Sequence, residues 1–371
     1  MDNIPVTKPY FPDADVDALT GQIRDILRTG RMIFGPYTQE LEQLFSEYTH
    51  ASHAVAVNTC TTALTIAMKY GGAEKHEVIV PSATFIATPN SVLFAGGKPV
   101  FADINSEDLG LDVEDVEKKI NKKTRAIIAV HLVGSISKKM DELKKLAQDH
   151  NIMLVEDCAH AIGSGGDGTQ PGQWSDAACF SFYPTKLITA GLGGMLTTND
   201  EKLAKFAQSI RNHGAGKTRA EIENLGWDAA LMEVNCALAI KQMARVKEFV
   251  EKRQALAYEY TQQFKSVQGI QLFPFATDKG WNVYRYPVLL GDGVEPEAFM
   301  QKMKAEGIGC GRIYIPCHLQ PYYQRTFNYP KGMLPVTEDI MARAVCLPVF
   351  PQMTIEQVHT VCKAVKGELR E

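Results

Sequence analysis

The stretch Ala54-Val55-Ala56-Val57-Asn58-Thr59-Cys60-Thr61-Thr62-Ala63 passes from an apolar run through small polar residues into a helical pattern. Ala54 to Val57 reads as a short buried strand, Asn58 to Thr62 as a turn, and Ala63 to Met68 as the start of a helix. A turn of this kind aims free backbone N–H groups and the positive end of the helix dipole at one spot, which suits an anion. The same threonines would also serve as an ordinary helix cap, without any ligand.

Downstream, strand and helix alternate. Strands are predicted at Glu77 to Val80, Pro99 to Asp103, Ala126 to Val130 and Ile152 to Val155, with helices at Thr88 to Ala95, Val113 to Ile120 and Met140 to His150 between them. Such alternation predicts an α/β fold with a mostly parallel central sheet covered by helices. Ligands of these sheets gather at the carboxyl ends of the strands, where Thr59 and Thr61, Thr84 and Phe85, His131, Asp157 and His160 all fall. Upstream, Asp13 to Arg28 and Tyr37 to Tyr48 have apolar residues at helical spacing, and Gly30 can end the first.

Further along, Trp174 to Phe180 and Met195 to Thr198 read as strands, Glu201 to Ile210 as a helix, and Met232 to Phe249 as one long helix. From about Arg245 the chain is richer in charge and helix. Strands at Tyr284 to Leu290 and Gly309 to Ile313, and helices at Glu297 to Glu306 and Ile355 to Lys366, predict a smaller C-terminal α+β domain. The expected division is 1–244 for the large domain and 245–371 for the small one, with the N-terminal segment free to pack on the latter.

A chain of 371 residues, 45% hydrophobic, can bury a substantial core. Its net charge of -4 gives no electrostatic basis for binding nucleic acid or an anionic membrane. Small molecules are the expected partners. The N-terminal residues lack a signal-peptide pattern and no apolar run reaches membrane-spanning length, so a cytoplasmic protein is expected. Eight cysteines without a Cys-x-x-Cys pair are expected to be free thiols, and no metal site is predicted, even at Cys310, Cys317 and His318.

The chemistry concentrates in Ser181-Phe182-Tyr183-Pro184-Thr185-Lys186-Leu187-Ile188-Thr189-Ala190-Gly191-Leu192-Gly193-Gly194-Met195. Lys186 follows a buried strand and precedes a glycine-rich turn with few charges nearby. Amines in apolar surroundings become nucleophilic, the condition that Schiff-base lysines exploit, whereas a surface loop lysine would do nothing of the kind.

Glu156-Asp157-Cys158-Ala159-His160-Ala161, Ser181-Phe182-Tyr183-Pro184-Thr185-Lys186 and Gly191-Leu192-Gly193-Gly194, in that order, resemble the DegT/DnrJ/EryC1/StrS sugar aminotransferases. The resemblance extends through Val78 to Phe85, Lys98 to Asp103, Val130 to Gly134, Gln242-Met243 and Leu347 to Pro351. It implies the aspartate aminotransferase fold, pyridoxal 5'-phosphate as cofactor, a keto-sugar acceptor that is usually nucleotide-linked, an amino acid donor such as L-glutamate, and a homodimer with shared active sites. On this resemblance Lys186 holds the cofactor and moves the proton, and Asp157 pairs with the pyridinium nitrogen. His160 would meet the ring hydroxyl, and Phe85 would cover one ring face. Ser181, the Cys60 and Thr61 amides and the Thr61 hydroxyl would take the phosphate. Phe34, in the Arg31 to Pro36 segment, and His318 are implied substrate contacts.

The chain departs from the family at Gly226-Trp227-Asp228-Ala229-Ala230, where the family carries Gly-Tyr-Asn-Tyr-Arg. The family's asparagine reaches the phosphate bound by the neighbouring subunit, and an ionised Asp228 in its place would be repelled. Asn235 or Asn224 are the candidates to substitute for it. Two other readings stay open from sequence: a dehydratase of the same family, which usually has histidine where Lys186 stands, and a non-catalytic regulator.

Overall fold

The structure, a computed structural model, describes residues 3–166, 168–218 and 220–369. Helix α1 (Asp13–Thr29) ends at Gly30, whose φ of 68° is the left-handed cap that a glycine adopts freely. Helix α2 (Pro36–Thr49) starts on a proline, which costs no hydrogen bond in a first turn. The alternating region then runs β1 (His53–Val57), α3 (Cys60–Tyr70), β2 (Glu77–Pro81), α4 (Ala87–Phe94), β3 (Lys98–Ala102), α5 (Val113–Lys119), β4 (Thr124–Val130), α6 (Met140–Asp149), β5 (Met153–Asp157), β6 (Ala177–Ser181), β7 (Gly194–Thr198) and α7 (Glu201–Ile210).

Among the described residues these strands form one seven-stranded sheet in the order β1-β7-β6-β5-β4-β2-β3. Every pairing is parallel except those of β7 with β1 and with β6. Its strands read as unbroken apolar runs because both faces are covered. Val78 and Val80 point with Val55, Val57 and Leu196 into a core beneath α3, α4 and α7, whereas Ile79 points with Ile127 and Leu154 towards α5 and α6. Phe45 of α2 packs edge-on against Phe180 and Phe182 on that second side, near β6. Each such side chain contributes roughly 1.5–3 kcal/mol on burial.

The rest of the chain is α8 (Glu233–Met243), α9 (Val246–Phe264), β8 (Ile270–Leu272), β9 (Tyr286–Leu290), α10 (Pro296–Ala305), β10 (Gly311–Arg312), α11 (Pro321–Phe327), α12 (Pro335–Arg343), β11 (Ala344–Leu347) and α13 (Ile355–Glu368). The strands make an antiparallel sheet, β10-β11-β9-β8. Its core includes Leu132 and Val133 from the loop after β4, and Ile4 hydrogen-bonds to Gly307 and Gly309. The core of the small sheet is therefore continuous with loops that follow the strands of the large one.

Two expected elements differ. The helix expected over Met232 to Phe249 is two, broken at Ala244-Arg245, where the Arg245 guanidinium reaches Asp15 at 3.0 and 3.1 Å and Glu248 at 3.1 Å. The strand expected from Trp174 starts at Ala177, because Trp174 is held in a turn by its amide to Glu156 Oε1 (3.1 Å) and its indole N–H to Asp141 (3.0 Å). All eight cysteines are unpaired thiols. No helix among the described residues is long and apolar enough to cross a membrane.

Candidate active site

The carboxyl ends of β1, β2, β4, β5 and β6 open on a cavity of about 440 Å³. Cys60, Thr61, Phe85, Asp157, His160, Ser181 and Lys186 all line it. Residues far apart in the chain meet there because parallel strands deliver their ends to the same edge of the sheet.

Its floor is the start of α3. Thr59 caps that helix, accepting the Thr62 amide at 3.0 Å, and the Cys60 and Thr61 amides fall in the first turn, where no intrahelical acceptor exists. The glycine-rich turn lets the chain pass close by. A Cβ on Gly194 would lie 2.4 Å from the Cys60 nitrogen, and one on Gly193 3.0 Å from the Phe182 ring. A side chain on Gly194 would move the start of α3, and one on Gly193 would press on the Phe182 and Leu231 side chains. The cap and the anion readings of this turn are thus both open to the same structure: the hydroxyl of Thr59 is spent on the cap, and the amides of Cys60 and Thr61 remain for a ligand.

Asp157 ends β5 and is buried. It accepts from Thr88 Oγ1 at 2.7 Å and from the Ala159 amide at 3.1 Å. Burial pushes its carboxyl above the usual range, and the two hydrogen bonds and the Lys186 charge only partly offset this. Among the described residues it has no ion-pair partner. A cationic ring nitrogen in the cavity would supply one.

His160, three residues on, is buried and stacks on Tyr284 with ring centroids 4.3 Å apart. Its Nε2 lies 3.2 Å from the Tyr314 hydroxyl, and its Nδ1 is buried without a partner. Burial, with the Lys186 and Arg285 charges, holds the imidazole well below its ordinary pKa and so neutral. A ring hydroxyl would answer the orphaned nitrogen. The residues present therefore fit a pyridine ring carrying a hydroxyl and a phosphate.

Lys186 is half-buried, and its Nζ lies 5.0 Å from the centroid of the Tyr284 ring. Burial raises the Tyr284 hydroxyl's pKa, but Lys186, Arg285 and the hydrogen bond with Thr185 (3.2 Å) outweigh it and bring the value to about 8. Phe85 is about half exposed, with its ring 5.5 Å from Tyr314.

Two residues implied as substrate contacts, His318 and Phe34, lie outside the cavity, and Asp228 is expected at the neighbouring subunit's phosphate rather than at this one. His318 is fully buried outside the cavity, with Nδ1 2.6 Å from Ser82 Oγ and Nε2 3.1 Å from Glu338 Oε1. Both ring nitrogens are engaged, so it pins α12 to the end of β2 rather than facing a substrate. Phe34 sits under the Arg211 guanidinium at 5.1 Å, in a segment gripped by Glu233, which accepts the Gly35, Tyr37 and Thr38 amides at 2.9–3.0 Å. Asp228 is exposed and does not line the cavity. Its suggested substitutes are committed too: Asn235 donates to the Ala190 carbonyl at 2.6 Å and Asn224 to Ser209 at 2.9 Å.

Sequence reasoning missed Thr88, Thr185, Tyr284, Arg285 and Tyr314. The one available signal was Arg285, a charge inside a run otherwise read as an apolar strand.

The model of the DegT/DnrJ/EryC1/StrS aminotransferase family matches residues 14–366. The chain is 33% identical to the spore coat polysaccharide biosynthesis protein SpsC of Bacillus subtilis, over 98% of this chain and 96% of that one. Among solved structures it is similar to S. venezuelae DesV, crystallised with a ketimine intermediate, at 31% identity and a TM-score of 0.91, with both chains fully covered. It is also similar to Helicobacter pylori PseC, an aminotransferase of pseudoaminic acid biosynthesis, at 25% identity and a TM-score of 0.93, again over the whole of both chains. With the site geometry and the family match in agreement, the chain belongs to the DegT/DnrJ/EryC1/StrS aminotransferase family and is a pyridoxal-phosphate-dependent aminotransferase.

Proposed function

We propose that the protein transfers an amino group from an amino acid, L-glutamate, to a nucleotide-linked keto sugar for polysaccharide or amino-sugar biosynthesis. The observation that carries this reading is the convergence of Lys186, Asp157 and His160, whose buried Nδ1 has no partner, at one cavity above the α3 N-terminus. Pyridoxal phosphate, when bound, supplies an electron sink that makes the carbon next to the transferring nitrogen acidic.

The chain's own residues do the rest. Cys60 and Thr61 present their amides, with Ser181 beside them, to a phosphate. Asp157 holds a ring nitrogen protonated through a buried charge pair. His160 orients the ring by its hydroxyl, and Phe85 shields one ring face. Lys186 would hold the cofactor through its amine and would then serve as the base that takes the proton from the donor's α-carbon and as the acid that delivers it again.

The same reading makes the enzyme a homodimer. Leu225 is 83% exposed and Phe94 63%, and together with Trp227 they line a second cavity that shares Thr59 and Thr61 with the first. A second copy covering them would bring its own Asp228 segment to this site. Sedimentation of an active enzyme as a monomer would remove the dimer.

The test of the reaction is the visible absorption of the purified protein with pyridoxal phosphate, before and after L-glutamate. The expected result is an imine band that glutamate bleaches. A band that glutamate leaves unchanged removes the donor, and no band removes the cofactor.

A further inference from the structure

His160 is held by three side chains from the second half of the chain. Asn282, fully buried, donates its amide to the His160 and Ile162 carbonyls, both at 2.7 Å, and its own oxygen accepts the Tyr284 amide at 2.8 Å. The Tyr284 ring lies against the imidazole, and the Tyr314 hydroxyl is 3.2 Å from Nε2. Backbone, ring face and ring edge are each fixed. Among the described residues Nδ1 is the one polar atom of the ring without a partner.

The contact between Tyr314 and Nε2 can be made in two ways, because either atom can carry the hydrogen. Burial, with Tyr284 beside it, pushes the Tyr314 phenol above its ordinary pKa, so it keeps its proton. Among the described residues that proton has one acceptor, Nε2. If Nε2 instead carried the imidazole hydrogen, the phenol's hydrogen and a bare Nδ1 would both go unmet. Donation from Tyr314 leaves a single unmatched group, the Nδ1–H. Polar groups buried without partners are costly, so the arrangement with fewer of them is favoured. A doubly protonated ring is no alternative, since burial and the Lys186 and Arg285 charges oppose a further cation there.

Resting on the aminotransferase reading, we propose that Tyr314 is a positioning residue that fixes the tautomer of His160. The phenol donates to Nε2, the imidazole hydrogen sits on Nδ1, and His160 meets the cofactor's ring oxygen as a hydrogen-bond donor. A donor at that oxygen stabilises its anionic form. Both residues line the cavity, and Tyr314 follows β10, so the pair ties the small sheet to the chemistry at the edge of the large one. An amide side chain at position 160 would donate whatever its neighbour does. An imidazole donates only from the nitrogen that its other partner leaves protonated.

The test uses Tyr314→Phe, His160→Gln and the double variant. With isotopically labelled histidine, nitrogen NMR of the cofactor-free protein assigns to His160 the signals that vanish in H160Q. In wild type these are expected to show the Nδ1–H tautomer, and in Y314F to move towards the Nε2–H form. Y314F is also expected to bind pyridoxal phosphate about tenfold more weakly. The pH midpoint of its imine band should rise by about one pH unit, because the deprotonated imine leaves more negative charge on the ring oxygen and loses most when the donor goes. Asp157, Lys186, Arg285 and Tyr284, the other titratable groups around these rings, stay as they are in every variant. H160Q keeps a donor that needs no tautomer, so adding Y314F to it should change neither affinity nor midpoint. An Nε2–H tautomer in wild type, or a Y314F effect undiminished in the H160Q background, would overturn the proposal. If the tautomer follows Tyr314 but no imine band ever forms, the aminotransferase reading fails and the tautomer assignment stands.

Discussion

Glu156 and Asp157 are neighbours on β5, both buried, and face opposite sides of the sheet as strand residues must. Glu156 points into the protein. It receives His131 Nε2 at 2.8 Å, the Gly172 amide at 2.8 Å and the Trp174 amide at 3.1 Å, and the His131 ring is set for this because its Nδ1 accepts from the Ser137 amide. Burial pushes its carboxyl up, but these bonds more than reverse that and hold it below the usual range. Asp157 points into the cavity with the Thr88 hydroxyl and the Ala159 amide as close donors and the Cys60 thiol at 4.0 Å, and stays raised. A buried acid that the fold satisfies is structural; one that the fold leaves short of partners is waiting for a ligand.

The largest break in the site would come from Lys186→Ala, expected to lower turnover by at least about 10³-fold in steady-state assays with glutamate and to abolish the imine band. A rate near wild type would end the assignment. Asp157→Asn is expected to cost about 10²-fold or more in turnover, while thermal unfolding of the cofactor-free protein stays level or improves, since a charge buried against its preference is removed.

Glu156→Gln should show the opposite balance, losing roughly 3 kcal/mol of stability because one oxygen of a saturated acceptor becomes a donor among donors. Denaturant melts of both variants test the contrast directly. The pH dependence follows with the same sign logic. With its folded pKa below the unfolded one, Glu156 contributes stability above the ordinary glutamate range, and that contribution is lost as pH falls through the folded value. Asp157, raised on folding, favours the cofactor-free fold most at low pH and loses that contribution as pH climbs through its folded value. The acid limb of the wild-type stability profile should flatten in E156Q and not in D157N.

The same comparison extends to the histidines. His318→Gln is expected to cost about 1–3 kcal/mol in unfolding experiments with kcat changed less than about threefold, since its ring bonds Ser82 and Glu338 and misses the cavity. The smallest effect concerns Tyr284. The cofactor-free protein should show an ultraviolet phenolate titration with a midpoint near pH 8, absent in Tyr284→Phe, because Lys186 and Arg285 stabilise the ionised ring.

Much of this was legible before any coordinates. The alternation after Ala54 gave the parallel sheet, since unbroken apolar strands need helices on both faces, and the seven residues that meet in the cavity lie just past strand ends. The misreadings share one cause. Met232 to Phe249 looks continuous because local periodicity does not register the ion pair that Arg245, at the junction of the two helices, makes with Asp15 more than two hundred positions away. His318 looks available because its partners, Ser82 and Glu338, are not its neighbours in sequence.

The sequence by itself determined the α/β class, the residues that reach the sheet's carboxyl edge, and the glycine-rich turn beside Lys186. These follow from local periodicity and from backbone sterics, which act over a few residues. Only the tertiary structure decided which buried polar groups are satisfied and which are left open: Glu156 closed and Asp157 short of partners, His318 closed and His160 with one free nitrogen. That distinction depends on hydrogen-bond partners brought from distant parts of the chain, and no short stretch of sequence contains them.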